Sequence, residues 1–222
     1  MWRFPKPMQI LIATANPSKH KEMVAVLGDC SIPASGGLPE IVRWLSLSDL
    51  GEHIREPIED GTTFAENAAL KARYYSKASG MWALADDSGL EVDALGGEPG
   101  VDSAYYAREV ANRTRSIRDP ANNARLIDAL RQVPAEKRAA RFRCCLALAD
   151  GDRILATAEG HVDGVIIDDA RGSSGFGYDP HFFIPAMGKT TAELAPEDKN
   201  QISHRGRALR QMRERLHGLI RK

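Results

Sequence analysis

The sequence lacks any apolar run near the roughly 18 residues that a membrane span needs, so no membrane anchorage is expected. It lacks an excess of either charge: 30 Lys+Arg stand against 30 Asp+Glu, a formal net charge of +0. Proteins that hold nucleic acid by displacing counterions carry a basic surplus, so no nucleic-acid partner is expected. Cysteine is scarce, with 3 in 222 residues. Cys30, Cys144 and Cys145 form no Cys-x-x-Cys pair, and two of them are adjacent, which makes a poor disulfide framework. The six histidines show no zinc spacing. A reducing cytoplasm is the simplest setting. Met1 to Pro7 is basic but has no long apolar stretch behind it, so no secretory signal is expected. Internal repeats, low-complexity tracts and long linkers are also missing. What is present is a 43% hydrophobic chain, long enough for one core or one core split into two lobes.

Strand and helix signals alternate along the chain. Met8 to Thr14 reads as a buried strand. Asn16-Pro17 is a cap followed by a first-turn proline, predicting a helix to about Leu27. Residues 30 to 60 read as loops with one or two short strands. Thr63-Phe-Ala-Glu66 is a capping box opening a helix to Ser79. Trp82 to Asp86 reads as a strand ending in Asp-Asp-Ser-Gly, and Leu90 to Ala94 as a second short apolar segment. Pro120 to Gln132 is a helical pattern. Ala139 to Ala149 and Ile154 to Val162 flank Asp150-Gly-Asp152 as a hairpin. Gly172 to Pro185 is a glycine-rich turn leading into an aromatic strand. Ser203 caps a last helix whose apolar face is Ala208, Leu209, Met212, Leu216 and Leu219. The interleaving favours an α/β fold with a mixed sheet.

Five segments carry candidate chemistry, and each also has an ordinary structural reading. Thr14 to Lys19 sits where a strand meets a helix. Helix N-termini attract anions, and a lysine there opposes the dipole unless an anion lies between them. Glu66 has a capping job, which argues against a metal role, whereas Glu59 in the preceding loop has none. Asn67 and Lys71 lie four apart on one helical face, so both can point at one ligand. Asp86-Asp87 at the end of an apolar strand is costly to bury without a cation, and magnesium takes such carboxylates together with phosphate oxygens. Alternation along a strand predicts that one of the two faces the site.

Gly175-Phe-Gly177 lets backbone approach a flat ligand, with Phe176 able to stack on a base and Asp179 able to accept from ring N–H groups. Lys199, His204 and Arg205 lie at the head of the last helix. The donors His204 and Arg205 could read a base carbonyl.

In order and spacing these pieces resemble the inosine triphosphate pyrophosphatases. The likeness runs from Ile12-Ala-Thr-Ala-Asn-Pro-Ser-Lys19 and Asp60-Gly-Thr-Thr-Phe-Ala-Glu-Asn-Ala-Ala-Leu-Lys71 through Ala85-Asp-Asp-Ser-Gly-Leu90 and Leu95-Gly-Gly-Glu-Pro-Gly100. It continues through Gly175-Phe-Gly-Tyr-Asp-Pro180, Thr191-Ala-Glu-Leu194 and Ser203-His-Arg-Gly206. The resemblance implies one α/β domain over 1–222, with an elongated mixed central β-sheet flanked by helices and two lobes with an active-site cleft between them. It implies magnesium-dependent hydrolysis of ITP, dITP or XTP to the monophosphate and pyrophosphate, which cleanses the nucleotide pool.

Carried over residue by residue, Thr14, Ala15, Asn16, Pro17, Ser18 and Lys19 would hold the triphosphate beside Lys71. Glu59 and Asp87 would bind metal, with Asp87 as general base and Lys71 in the catalytic group. Ser88 would touch substrate, Phe176 would stack on the base, and Gly177, Tyr178 and Asp179 would fix the nucleoside. Lys199, His204 and Arg205 would contact the nucleotide. A homodimer in the cytoplasm is implied as well. Ala15 stands where glycine is common in the family, and Ser173-Ser174 replaces a usual Thr-Gly. Two other readings stay open: a pyrophosphatase for modified pyrimidine nucleotides, and a nucleotide-binding protein without activity.

Overall fold

The computed structural model describes residues 8–28, 30–33, 39–51 and 54–220, without the side chains of residues 30–33 and 39–41. The basic N-terminus, the Cys30 side chain, His53 and the loop glycines at 36 and 37 therefore lie outside the described residues.

Strand β1 (Met8–Ile12) is followed by helix α1 (Pro17–Leu27). Asn16 is the predicted cap: its side-chain oxygen accepts from the Ser18 and Lys19 amides at 3.0 and 3.4 Å. Strands β2 (Cys30–Pro33) and β3 (Pro39–Leu45) fall in the stretch expected to hold one or two short strands. Helix α2 (Phe64–Ser79) has Thr63 as N-cap and the predicted capping box. It stops at Gly80, whose φ of +67 suits glycine.

Strand β4 (Trp82–Val92) is longer than expected. The acidic pair does not end it, and the two apolar segments predicted around residues 82–94 are one strand. The reason is burial on both faces: Ala83, Leu84, Ala85, Asp86 and Asp87 are all under 10% exposed, and each aspartate meets a lysine.

Helix α3 (Arg115–Ala129) begins five residues before Pro120, which therefore lies inside the helix. Proline suits a first turn, which is why the pattern predicts a start there. The earlier turn is held from outside the helix by Asp119, which accepts from the Gly177 amide at 2.9 Å. One turn on, Asn122 accepts from the Ala107 amide at 2.8 Å.

Strands β5 (Ala139–Asp150) and β6 (Arg153–Ile166) flank the predicted turn, and β6 runs four residues past Val162. Cys144 and Cys145 are buried in β5, as small apolar groups would be. The aromatic strand is β7 (Phe182–Ile184), followed by β8 (Lys189–Thr190). A short helix, α4 (Pro196–Ile202), was not expected. It places Lys199 one helix earlier than the last, α5 (His204–Ile220). Ser203 caps α5 as predicted, its hydroxyl accepting from the Gly206 amide at 3.0 Å.

The strands run in the order β2-β3-β1-β4-β5-β6-β7-β8. β1 is parallel to β3 and β4, while β2 with β3, β6 with β7, and β7 with β8 are antiparallel. The sheet is mixed and helix-flanked, as expected. The chain forms two compact units: residues 1–87, 145–159 and 208–222, and residues 88–144 and 160–207.

In the first unit, Phe64, Ala68, Ala72 and Tyr75 of α2 pack on Ala83 and Ala85 of β4. Alternation then puts Asp87 on the α2 side and Asp86 on the other. The second unit has its own core, with Leu90, Leu126, Leu130, Phe142, Tyr178 and Phe182 among its members. Among the described residues no helix is long and apolar enough to cross a membrane. Leu126 is fully buried in the second core. Truncating it to alanine leaves a cavity, so Leu126→Ala is expected to lose about 2–5 kcal/mol of stability in urea denaturation.

Candidate active site

In the first unit a charged cluster forms where β4 carries its two aspartates. Lys71 on α2 sits between two carboxylates, with Nζ 2.7 Å from Glu59 Oε2 and 3.0 Å from Asp87 Oδ1. Asn67, one turn earlier, donates from Nδ2 to Asp87 Oδ2 at 3.3 Å. The predicted i, i+4 pair thus converges on one group, and that group is Asp87. Asn67 is itself held, because its side-chain oxygen accepts from the Gly61 amide at 2.9 Å. A Cβ at Gly61 would lie 2.5 Å from that oxygen, so only glycine fits.

On the other face of β4, Lys19 Nζ lies 3.1 Å from Asp86 Oδ2. Asp86 is therefore engaged as well, rather than turned away from all chemistry. It anchors the lysine that the sequence places at the head of α1.

The cluster counts three carboxylates, Glu59, Asp86 and Asp87, against two ammonium groups. Burial pushes the Asp87 carboxyl above the usual carboxylate range; Lys71 and Lys19 pull it down without offsetting that, and Glu59 adds to the rise. Burial also works against the charge of Lys71, but the carboxylates of Asp87, Asp86 and Glu59 outweigh it and hold the ammonium protonated well above its ordinary value. A local excess of negative charge beside a proton-accepting carboxylate suits a divalent cation. Among the described residues no group of three or more His, Cys, Asp or Glu is placed to hold a metal. Glu59 and Asp87 supply two carboxylates, and magnesium commonly completes such a set from phosphate oxygens and water.

Glu66 stays out of this cluster. Its Oε2 accepts from the Thr62 hydroxyl at 3.0 Å and from the Thr62 and Thr63 amides at 2.8 and 3.1 Å, and these bonds hold its carboxyl below the usual range. Thr14 Oγ1 accepts from the Asn16 amide at 3.2 Å, which shapes the turn. Ala15, Pro17 and Ser18 are exposed around it.

The second unit holds the remaining expected residues. Asp179, 3% exposed, is their hub. Its Oδ2 accepts from Lys199 Nζ at 2.6 Å and from the Phe176 amide at 2.8 Å, and its Oδ1 accepts from the Thr191 hydroxyl at 2.8 Å. Gly175 makes this possible. Its φ is +80, and a Cβ there would lie 2.1 Å from Asp179 Oδ2.

Arg205 donates to Ser88 Oγ at 2.8 Å. Its guanidinium carbon lies 5.7 Å from the Phe176 ring centroid, with Lys199 Nζ at 5.0 Å. His204 stacks on Phe142, ring centroids 4.9 Å apart. Gly177 is held through both its backbone groups: its amide donates to Asp119 Oδ2 and its carbonyl accepts from Asn123 Nδ2, each at 2.9 Å. The Tyr178 side chain points into the core of the second unit and its hydroxyl donates to the Ser103 carbonyl at 2.8 Å, so it supports the loop from below.

Sequence reasoning missed Asp119, Asn123 and Arg115 as neighbours of the Phe176 loop. Their signal, the spacing i, i+4, i+8, straddles the proline taken as a helix start.

A family model described as the Ham1 family matches residues 10–215. The chain belongs to the Ham1 family. Ham1-family relatives include a Thermus thermophilus protein named dITP/XTP pyrophosphatase, 45% identical over 207 residues, covering 93% of this chain and 91% of that one. One from Geobacter sulfurreducens with the same name is 46% identical over 208 residues, covering 94% and 96%. A solved Ham1 structure from Coxiella burnetii is similar with a TM-score of 0.80 and 35% identity, covering 95% of this chain and 99% of the other. A Mycobacterium abscessus structure named nucleoside-triphosphatase / dITP/XTP pyrophosphatase gives 0.69 and 39%, covering 92% and 98%.

The raised pKa of Asp87 carries a stability consequence. A carboxyl that holds its proton more tightly when folded adds stability below its unfolded pKa, and that stability is lost as pH rises through the folded value. At pH 7 the ionised side chain therefore costs stability. Asp87→Asn is expected to keep or raise the thermal midpoint at pH 7, with a gain that shrinks toward acid pH in calorimetry.

Proposed function

We propose that this chain hydrolyses non-standard purine nucleoside triphosphates, dITP, ITP and XTP, to the monophosphate and pyrophosphate, with magnesium as cofactor. The observation that carries the reading is the Glu59–Lys71–Asp87 cluster, in a chain 45% identical over 93% of its length to a protein named for that activity. Such an enzyme would remove these nucleotides before a polymerase could use them.

In this reading Lys19 and Lys71 offset phosphate charge, and the backbone of the 14–19 turn lies against the triphosphate. Glu59 and Asp87 would hold magnesium, which when bound neutralises phosphate charge and lowers the pKa of water. Asp87 accepts a proton from the attacking water, a role suited by a carboxyl whose pKa lies above the usual range. The water oxygen bonds to the α-phosphorus, the bond from that phosphorus to the bridging oxygen breaks, and its electron pair leaves with pyrophosphate. Asn67 and Lys71 keep the Asp87 carboxylate aimed.

In the second unit, Phe176 stacks on the base while Arg205 and His204 donate toward a 6-oxo group. Adenine presents an amino donor at that position. Leaving a buried donor unpaired costs about 1–3 kcal/mol, so ATP is disfavoured by about 5- to 150-fold.

The test is a substrate panel with magnesium, read as pyrophosphate release from ITP, dITP, XTP, ATP, GTP and a methylated pyrimidine triphosphate. ITP, dITP and XTP are expected to be turned over, and chelation should abolish turnover. Orthophosphate as first product, or turnover of the pyrimidine nucleotide alone, would sink the reading. Asp87→Asn is expected to lower kcat about 10²–10⁴-fold. Because Asp87 must be ionised, an acid limb of kcat/KM is expected, and it should disappear in that variant.

A further inference from the structure

Guanine shares the 6-oxo group with hypoxanthine and xanthine. Its distinguishing feature is a 2-amino group, where hypoxanthine has hydrogen and xanthine a 2-oxo group. The 6 and 2 substituents lie on one edge of the purine, so a base stacked on Phe176 with Arg205 near its 6 position presents its 2 position to a neighbour of the same ring.

That neighbour is on α3. The guanidinium carbon of Arg115 lies 4.6 Å from the Phe176 centroid, closer than Lys199 at 5.0 Å or Arg205 at 5.7 Å. The Arg115 side chain is 36% exposed, and its ionic contact to Asp119 is a long one, 3.5 Å from Nη2 to Oδ2. That contact leaves most of its five N–H donors available. The same Asp119 oxygen accepts from the Gly177 amide at 2.9 Å, and Asn123 donates to the Gly177 carbonyl at 2.9 Å. Residues 115, 119 and 123 form one stripe of α3, and all three address the loop that carries Phe176.

We propose that Arg115, positioned by Asp119, is a specificity-determining residue that reads the 2-substituent of the base, favouring a 2-oxo group and opposing a 2-amino group. A guanidinium offers donors and no acceptor. Opposite a 2-oxo group it gains a hydrogen bond, opposite hydrogen it gains nothing, and opposite an amino group donor meets donor. The order this produces at the 2 position is XTP over ITP over GTP. Asp119 is a positioning residue: it holds the guanidinium and the Gly177 amide with one oxygen, which couples Arg115 to the pitch of the Phe176 ring. The inference rests on the proposed purine triphosphate activity.

The test measures kcat/KM for XTP, ITP and GTP with the full-length wild type, Arg115→Gln, Arg115→Lys and Asp119→Asn, with thermal midpoints to confirm folding. In Arg115→Gln the XTP/ITP ratio is expected to fall about tenfold and the ITP/GTP ratio to fall with it. Arg115→Lys, which keeps the charge and loses the planar fork, should fall between. Asp119→Asn should shift both ratios in the same direction through KM more than kcat. If all three substrates decline together with unchanged ratios, Arg115 is structural and the inference fails while the activity stands. If the wild type turns over none of the three, the proposed activity fails and takes this inference with it.

Discussion

Two adjacent carboxylates buried in the middle of a strand are the constraint on which the first unit depends. Asp86 and Asp87 are 2% and 8% exposed, and an unpaired buried charge costs several kcal/mol. Each is met by a lysine from a different helix, Lys19 from α1 and Lys71 from α2. The caps that start those helices set where these lysines stand. Asn16 fixes the first turn of α1, and Thr63 with Glu66 fixes that of α2. Gly61 then allows Asn67 to brace Asp87. Local chemistry at two helix starts therefore determines the electrostatics at one strand.

The second unit repeats the pattern with a different hub. Asp179 gathers Lys199, the Phe176 amide and the Thr191 hydroxyl, so one buried carboxylate orients both an aromatic ring and a cation. Gly175 is there because a side chain would occupy the space of that carboxylate. Arg205 donates to Ser88 within the same unit, so a second cation is held close to the Phe176 ring.

Much of this was legible in the order of residues. Asn16-Pro17 and Thr63-Phe-Ala-Glu66 are local rules that use nearby backbone groups, and both helices begin where those rules put them. The i, i+4 pairing of Asn67 and Lys71 was also local, although its target was not. Where reading failed, long-range contact had overruled a local signal. The acids of β4 look like a strand end until their lysines are in place. Pro120 looks like a helix start until Asp119 is seen tying the preceding turn to the Gly177 amide.

By itself the sequence determined the caps, the alternation of strands and helices and the motifs that resemble a nucleotide hydrolase, because these depend on residues a few positions apart. Tertiary structure alone decided that one ammonium joins Glu59 to Asp87, that Asp86 holds Lys19, and that a stripe of α3 grips the Phe176 loop. Those pairings bring together residues 12 to 67 positions apart, and the charge balance of a buried site exists only after the chain has closed around it.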